Sequence, residues 1–438
     1  MKTQFFELAD ALCGELKSAE VLLCRLSAEQ SDFVRYNKAS VRQAGSVEQR
    51  YLSLRLVSAR RQASASLALA ADADDLPRAR AVLARLREML AQLPEDPWLL
   101  IAETPQSTTT ERRGRLPQAE EVVEQVTRDA HGLDFVGFYA AGTVCRGFAN
   151  SFGQRNWHEV DNFNFDWSLH LRADKAVKDG YAGFEWDPAV LQSKVRLAAE
   201  RLELLDQPAI TLEPGAYRAY LAPRALEEVT GLLEWSSFSA RSRATRQTPL
   251  LRMEHGEHLS PLVTLTENLA DGIAPQFQQD GFVRPGRVTL IDAGKLGDSL
   301  VSPRSAQEYG LASNGANARE SPESLDLDAG TLAADDALAA LDTGLYIGNL
   351  WYLNFSDRPG GRMTGMTRFA TFWVEGGRIV APVNPLRFDD TLYRMLGDSL
   401  VDLTRERERL LSTSTYDERS TASSLLPGAL LASLRFTL

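Results

Sequence analysis

The side chains best suited to chemistry in this chain are its five histidines, its three cysteines and a few clustered carboxylates. Two histidines sit in Glu254-His255-Gly256-Glu257-His258, a spacing that could place two imidazoles on one helix face as metal ligands. Gly256 and the following Ser260-Pro261 make the stretch a turn instead, no third ligand is evident, and it reads as a charged loop. His131, His158 and His170 stand alone and read as structural or surface residues. Cys13, Cys24 and Cys145 are widely spaced with no Cys-x-x-Cys pair, which argues against a disulfide framework or a cysteine-rich zinc site. They read as small buried hydrophobes. Glu227-Glu228 is a pair of carboxylates on a helix, but adjacent helical positions diverge by about 100°, so they form no ready acid–base dyad. Gly360-Gly361-Arg362-Met363-Thr364-Gly365 has neither the order nor the following helix of a phosphate cradle. It reads as a turn between strands, with Arg358, Arg362 and Arg368 either solvated or available to a peptide's carboxylate or backbone. Trp157, Phe163, Phe165 and Trp167 alternate with polar residues, the pattern of a core-facing strand rather than a base-stacking platform.

Positioning these residues falls to a chain of 438 residues with 44% hydrophobic and 24% charged side chains, an ordinary globular composition long enough for two or three domains. With 48 basic against 59 acidic residues the formal net charge is -11, so direct nucleic-acid binding is not expected. No apolar run reaches the roughly 18 residues of a membrane span, and acids interrupt the N-terminal stretch MKTQFFELADALCGELK, so a cytoplasmic location is expected. Apolar spacing predicts helices over residues 4–18, 75–93, 117–131, 188–205 and 223–239. Alternation predicts strands over 51–58, several between 135 and 172, and then 217–221, 262–265, 287–292, 344–354, 366–375, 378–382 and 431–436. The stretch 104–116 reads as an exposed loop. The segment 302–342, rich in Ser, Asn, Ala and acids, reads as a long mobile excursion. The expected fold class is α+β in two domains. Residues 1–213 form an N-terminal domain of helices and mostly antiparallel strands, residues 214–438 a β-rich C-terminal domain, and Pro214-Gly215 marks the boundary.

Five segments of the second half stand in a telling order: YLAPRALEEVTGLLEWSSFSA (220–240), DGIAPQFQQDGFVRPGRVTLIDAGKLGDSLVSPRSAQEYGL (271–311), NGANARESPESLDLDAG (314–330), GLYIGNLWYLNF (344–355) and TRFATFWVEGGRIVAPVNPLRF (367–388). Together they resemble the TldD/PmbA family, known as modulators of DNA gyrase and as peptidases. FVRYNKASVRQAGSVEQRYLSLRLV (33–57) and ANSFGQRNWHEVDNFNFDWSL (149–169) resemble its N-terminal domain, so the likeness spans nearly the whole chain. TldD-type subunits carry HExxxH on the helix corresponding to 223–239, with two histidines and a later cysteine as zinc ligands. Aligning Gly231 with the glycine of that motif puts Glu227 at the first histidine, Glu228 at the glutamate and Leu232 at the second histidine. Leu232 cannot ligate a metal, and every cysteine precedes residue 146.

The resemblance therefore implies the PmbA branch, also called TldE: no catalytic residue, no metal and no cofactor of its own. The implied partner is a TldD-type HExxxH subunit in a heterodimeric protease for unfolded or flexible peptides. Asn349, Trp351, Arg358, Arg362 and Arg368 are the expected peptide-binding residues, lining one wall of a chamber. Gly361-Arg362-Met363-Thr364-Gly365-Met366-Thr367-Arg368 departs from the family's arginine-glycine-x-serine-glycine segment. The alternatives are a homodimeric peptide- or protein-binding module without protease activity, and an independent hydrolase using the 254–258 loop or Glu227-Glu228.

Overall fold

The computed structural model describes residues 1–172 and 175–437. Its first half begins with α1 (Lys2–Cys13), β1 (Val21–Asn37), β2 (Ser40–Ser58), β3 (Arg61–Ala68) and α2 (Asp75–Leu90). Period-two alternation sends Leu22, Cys24 and Leu26 of β1 and Leu52, Leu54 and Leu56 of β2 to one face, where α1 and α2 cover them. β4 (Thr108–Arg112), α3 (Ala119–Asp129), β5 (Asp134–Asn150), β6 (Arg155–Arg172), β7 (Lys175–Gly183) and α4 (Pro188–Leu205) follow. The sheet order is β3-β2-β1-β5-β6-β4, with β7 on the remainder of the β6 edge. Only β4 runs parallel to its neighbour. Trp157, Phe163, Phe165 and Trp167 are all buried on one face of β6, as their alternation requires. Phe135 stacks on Trp167 with ring centroids 5.5 Å apart, and Leu191, Val195 and Ala198 of α4 close over this aromatic layer.

The second half runs through β8 (Gly215–Leu221), α5 (Pro223–Glu234), α6 (Ala240–Ala244), α7 (Leu251–Glu254), β9 (Leu265–Asn268), β10 (Arg287–Asp292) and β11 (Lys295–Leu296). It continues with α8 (Pro303–Tyr309), β12 (Ser324–Leu327), α9 (Ala337–Leu341), β13 (Gly344–Asp357), β14 (Arg362–Glu375), β15 (Arg378–Pro382), β16 (Arg387–Thr391), β17 (Leu400–Leu411) and β18 (Ser423–Phe436). Strands β18, β16, β14, β13 and β8 pair in sequence, and β8 pairs back onto β18, closing a ring. The ring encloses a core that includes Leu221, Leu345, Phe388 and Leu431. The fold is α+β, and the two sheets share one core layer: Tyr220, Tyr346 and Phe372 pack with the aromatic residues of β5 and β6.

Several elements differ from the expectations. The excursion 302–342 is built into the sheet: β12 lies between β9 and β18 with Leu325 and Leu327 buried. Its acid Asp326 is buried and satisfied rather than solvated, accepting from Asn268 Nδ2 at 2.7 Å and pairing with Arg407. The stretch 104–116 contains β4, paired along β6. The fifth helix stops at Glu234, because Ser236 turns into the left-handed region at φ 65°. Cys13 and Cys24, distant in sequence, are neighbours in the core as free thiols. Among the described residues no helix is long and apolar enough to cross a membrane.

Candidate functional site

The site is organised by α5. Pro223 occupies the first turn, where its missing N–H costs nothing, and Ala225, Leu226, Val229, Leu232 and Leu233 bury one stripe in the C-terminal core. The opposite stripe, Glu227, Glu228, Gly231 and Glu234, faces a cleft of about 440 Å³. The strap 412–422 between β17 and β18, together with Asp166 and Lys178, forms the far wall. Past Glu234, Trp235 and Glu323 the cleft opens into a second space of about 740 Å³ lined by Arg25, Arg146 and Arg284. The indole of Trp235, 59% exposed, stands between the two.

Charge in the cleft is unevenly paired. Arg224 lies 3.4 Å from both Asp166 and Asp179, and Lys178 lies 3.3 Å from Asp166. Gly180 permits this, because a Cβ there would collide with the Arg224 guanidinium and approach Phe165 O at 2.6 Å. Lys194 joins Asp179 at 3.2 Å and Glu408 at 3.1 Å. Glu227, Glu228 and Glu234 have no ion-pair partner among the described residues. Burial pushes the Glu227 carboxyl up to about 7, with Arg224 drawing it only part of the way back. Burial, helped by the charges of Glu227 and Glu267, pushes Glu234 up to about 8, and Glu228 is raised for the same first reason.

The residues expected to bind peptide lie on the β13–β14 hairpin, which borders the cleft through Leu353. Trp351 is 49% exposed with the Arg368 guanidinium over its ring at 4.0 Å. Arg358 donates to Trp235 O, tying the hairpin tip to the end of α5. Asn349 is buried, and Arg362 is half exposed and paired with Asp389. Arg224, Glu234, Trp235 and Ser423 were not among the expected site residues. Glu234 had a legible signal, standing seven residues after Glu227 on the same face of an amphipathic helix. The 254–258 loop is a surface turn: Glu254 pairs with Arg243 at 2.9 Å, Glu257 pairs with Arg252, and both histidines are exposed.

A family model described as the PmbA/TldA metallopeptidase C-terminal domain matches residues 214–437. The chain belongs to the PmbA/TldD family. Solved structures agree in fold: a protein of Thermotoga maritima described as a modulator of a DNA gyrase has a TM-score of 0.78 at 13% identity, with all of both chains covered. TldE from Thermococcus kodakarensis has a TM-score of 0.77 at 13% identity, covering 99% of this chain and 100% of its own. A Bacteroides thetaiotaomicron protein, also described as a modulator of DNA gyrase, has a TM-score of 0.76 at 15% identity, covering 100% and 98%. No curated protein matches the chain.

The family description implies a metal, and the cleft of this PmbA/TldD-family chain does not suit one. No imidazole or thiol lines it, and among the described residues no three His, Cys, Asp or Glu side chains converge as ligands would. The raised carboxyls have a measurable consequence. A carboxyl whose folded-state pKa lies above its ordinary 4.5 binds its proton more tightly in the folded state. Its contribution is complete below that value and is lost as pH rises through about 8. Glu234→Gln, which keeps the neutral form at every pH, is expected to stabilise the protein by about 2 kcal/mol at alkaline pH and not at all near pH 4. Thermal melts across that range check this, and an equal gain at both ends contradicts it.

Proposed function

We propose that this chain is the PmbA/TldE-type subunit of a TldD/TldE-type peptidase, contributing a peptide-binding surface while a TldD-type partner supplies the zinc chemistry. The observation that carries the reading is the donor set on α5: Glu227, Glu228 and Leu232 stand where the resemblance puts His, Glu and His. Peptide hydrolysis needs an activated water and a stabilised oxyanion, and the cleft offers no imidazole or thiol toward either, its Ser424 hydroxyl meeting only the Glu234 carboxyl. A binding role has support of its own. Beyond Ile347, β13 pairs only with β14, so one strand edge is unpaired beside the exposed Trp351. An extended peptide gains main-chain hydrogen bonds on such an edge with little sequence preference.

The test is cleavage of an unstructured peptide, followed by mass spectrometry, for this chain, for an HExxxH-bearing subunit and for the mixture. Turnover is expected in the mixture and not with this chain alone. Trp351→Ala is expected to slow the mixture about tenfold, as loss of an aromatic anchor does, without changing the zinc content of the partner. Chelator-sensitive turnover by this chain alone overturns the proposal in favour of an independent hydrolase. No gain from mixing favours the stand-alone binding module.

A further inference from the structure

We propose that the larger space beyond Trp235 receives a carboxylate of the bound peptide, either its carboxy terminus or an aspartate or glutamate side chain, on Arg25, Arg146 and Arg284. This rests on the reading of the neighbouring cleft as a peptide site and adds the class of peptide it selects.

Two of these arginines stand side by side on the N-terminal sheet. In the β1–β5 register Arg25 lies opposite Phe148 and Ser27 opposite Arg146, so alternation puts Arg25 and Arg146 on one face as diagonal neighbours. Like charges so placed repel. Burial draws the Arg146 guanidinium below its ordinary value, and while Glu418 opposes that shift, Arg25 adds to it. With the exposed Arg319, four arginines line the space against three acids, Glu234, Glu323 and Glu418. Glu418 is spent on Arg146 at 3.2 Å and Glu323 on Arg284. The Glu234 carboxyl, pushed up to about 8 and met by Ser424, brings little charge at pH 7. Arg25 is left without an acid among the described residues, and its Nη1 reaches the neutral Gln279 Oε1 at 3.4 Å.

A buried donor points to the same ligand. Arg284 lines the space and is 6% exposed; its Nη atoms serve Glu323 and Pro275 O, but its Nε is buried without a hydrogen-bond partner. An interior N–H left unmet is costly and uncommon, and a bound acceptor meets it. Guanidiniums take a carboxylate in a planar two-point contact, which suits this ligand better than a neutral group. The space, about 740 Å³, shares Glu234, Trp235 and Glu323 with the cleft under α5, so a chain lying in the cleft runs into it. Phe148 and Phe277 add apolar wall beside the guanidiniums.

The experiment is calorimetric binding of a short unstructured peptide containing one glutamate to the wild-type chain, to Arg25→Gln and to Arg25→Lys. Comparison peptides carry glutamine for the glutamate, an amidated carboxy terminus, or both. Removing the recognised carboxylate is expected to weaken binding to the wild type at least about tenfold, the worth of one charge-assisted contact. The arm that loses affinity identifies the side chain or the terminus as the source. Arg25→Gln is expected to lose most of that preference and to melt no lower than the wild type, because the charge it removes is unpaired and repelled by Arg146. Arg25→Lys, which keeps the charge without the planar fork, is expected to keep part of the preference. Equal binding of all four peptides by the wild type overturns the inference and leaves the peptide-site reading standing. A preference that Arg25→Gln retains in full overturns it by moving the carboxylate elsewhere. Melting of Arg25→Gln well below the wild type makes Arg25 structural and overturns its place in the site. No binding of any peptide, charged or neutral, overturns the peptide-site reading itself.

Discussion

Arg419→Ala is expected to lower the unfolding free energy by about 3–5 kcal/mol, the range for removing one member of a buried charged network. Arg419 sits on the strap 412–422 but is buried against the N-terminal sheet. Its Nη1 donates to Ser31 Oγ and to Gly142 O, both at 3.3 Å, and its Nη2 donates to Asn162 O at 3.0 Å and to Asn162 Oδ1. Its backbone N–H donates to Glu29 at 3.2 Å. Burial pushes the guanidinium down to about 10, a measure of how little water reaches it. Alanine leaves those acceptors without a donor and opens a side-chain-sized void. Arg419→Lys is expected to recover only part of the loss, because one ammonium cannot span acceptors on three strands as a planar fork does. Urea unfolding measures both variants, and a loss below about 1 kcal/mol means that water substitutes for the guanidinium. The same strap supplies Ser412 and Thr413 to the wall of the cleft, so Arg419→Ala is also expected to weaken peptide binding.

The second large effect is expected at Asp179, where replacement by alanine should cost about 3 kcal/mol. Burial alone would raise this carboxyl, and the charges of Lys194 and Arg224 overcome it, holding the group below its ordinary 3.8. Asp179 also accepts from Gly180 N–H at 2.7 Å. Its removal leaves Arg224 with Asp166 alone and Lys194 with Glu408 alone, at the joint where β7, α4, α5 and β17 meet. The sign with pH is opposite to that of Glu234. A depressed carboxyl contributes stability above its ordinary pKa and loses it as pH falls through the lower folded-state value. Wild type and Asp179→Ala are therefore expected to differ fully at neutral pH and to converge in strong acid. A difference that persists unchanged there assigns the effect to packing instead.

Legibility of the fold followed the length of each signal. The helix at 188–205 is found residue for residue, because Pro188 sits in its first turn behind Asp187, whose side chain accepts from Ala189 N–H, and apolar residues then recur at helical spacing. The strands 287–292 and 378–382 are likewise as expected, and the turn between β14 and β15 uses Gly376 and Gly377 at φ 56° and 74°, values that glycine adopts without strain. β12 escaped because four residues carry too little pattern. Its buried acid is paid for by Asn268 and Arg407, which stand 58 and 81 residues away. Polar composition there signalled solvent, whereas distant partners made burial possible.

By itself the sequence determined the family likeness, the α+β class and the presence of Glu227, Glu228 and Leu232 where the resemblance places His, Glu and His, because residue identity and short-range spacing carry all three. Only the tertiary structure decided which charges in the cleft are spent and which remain. Whether Arg224 neutralises Glu227 depends on β6 and β7 bringing Asp166 and Asp179 within 3.4 Å of the guanidinium first. Electrostatic pairing acts over a few ångströms in space, and separation along the chain does not encode that distance.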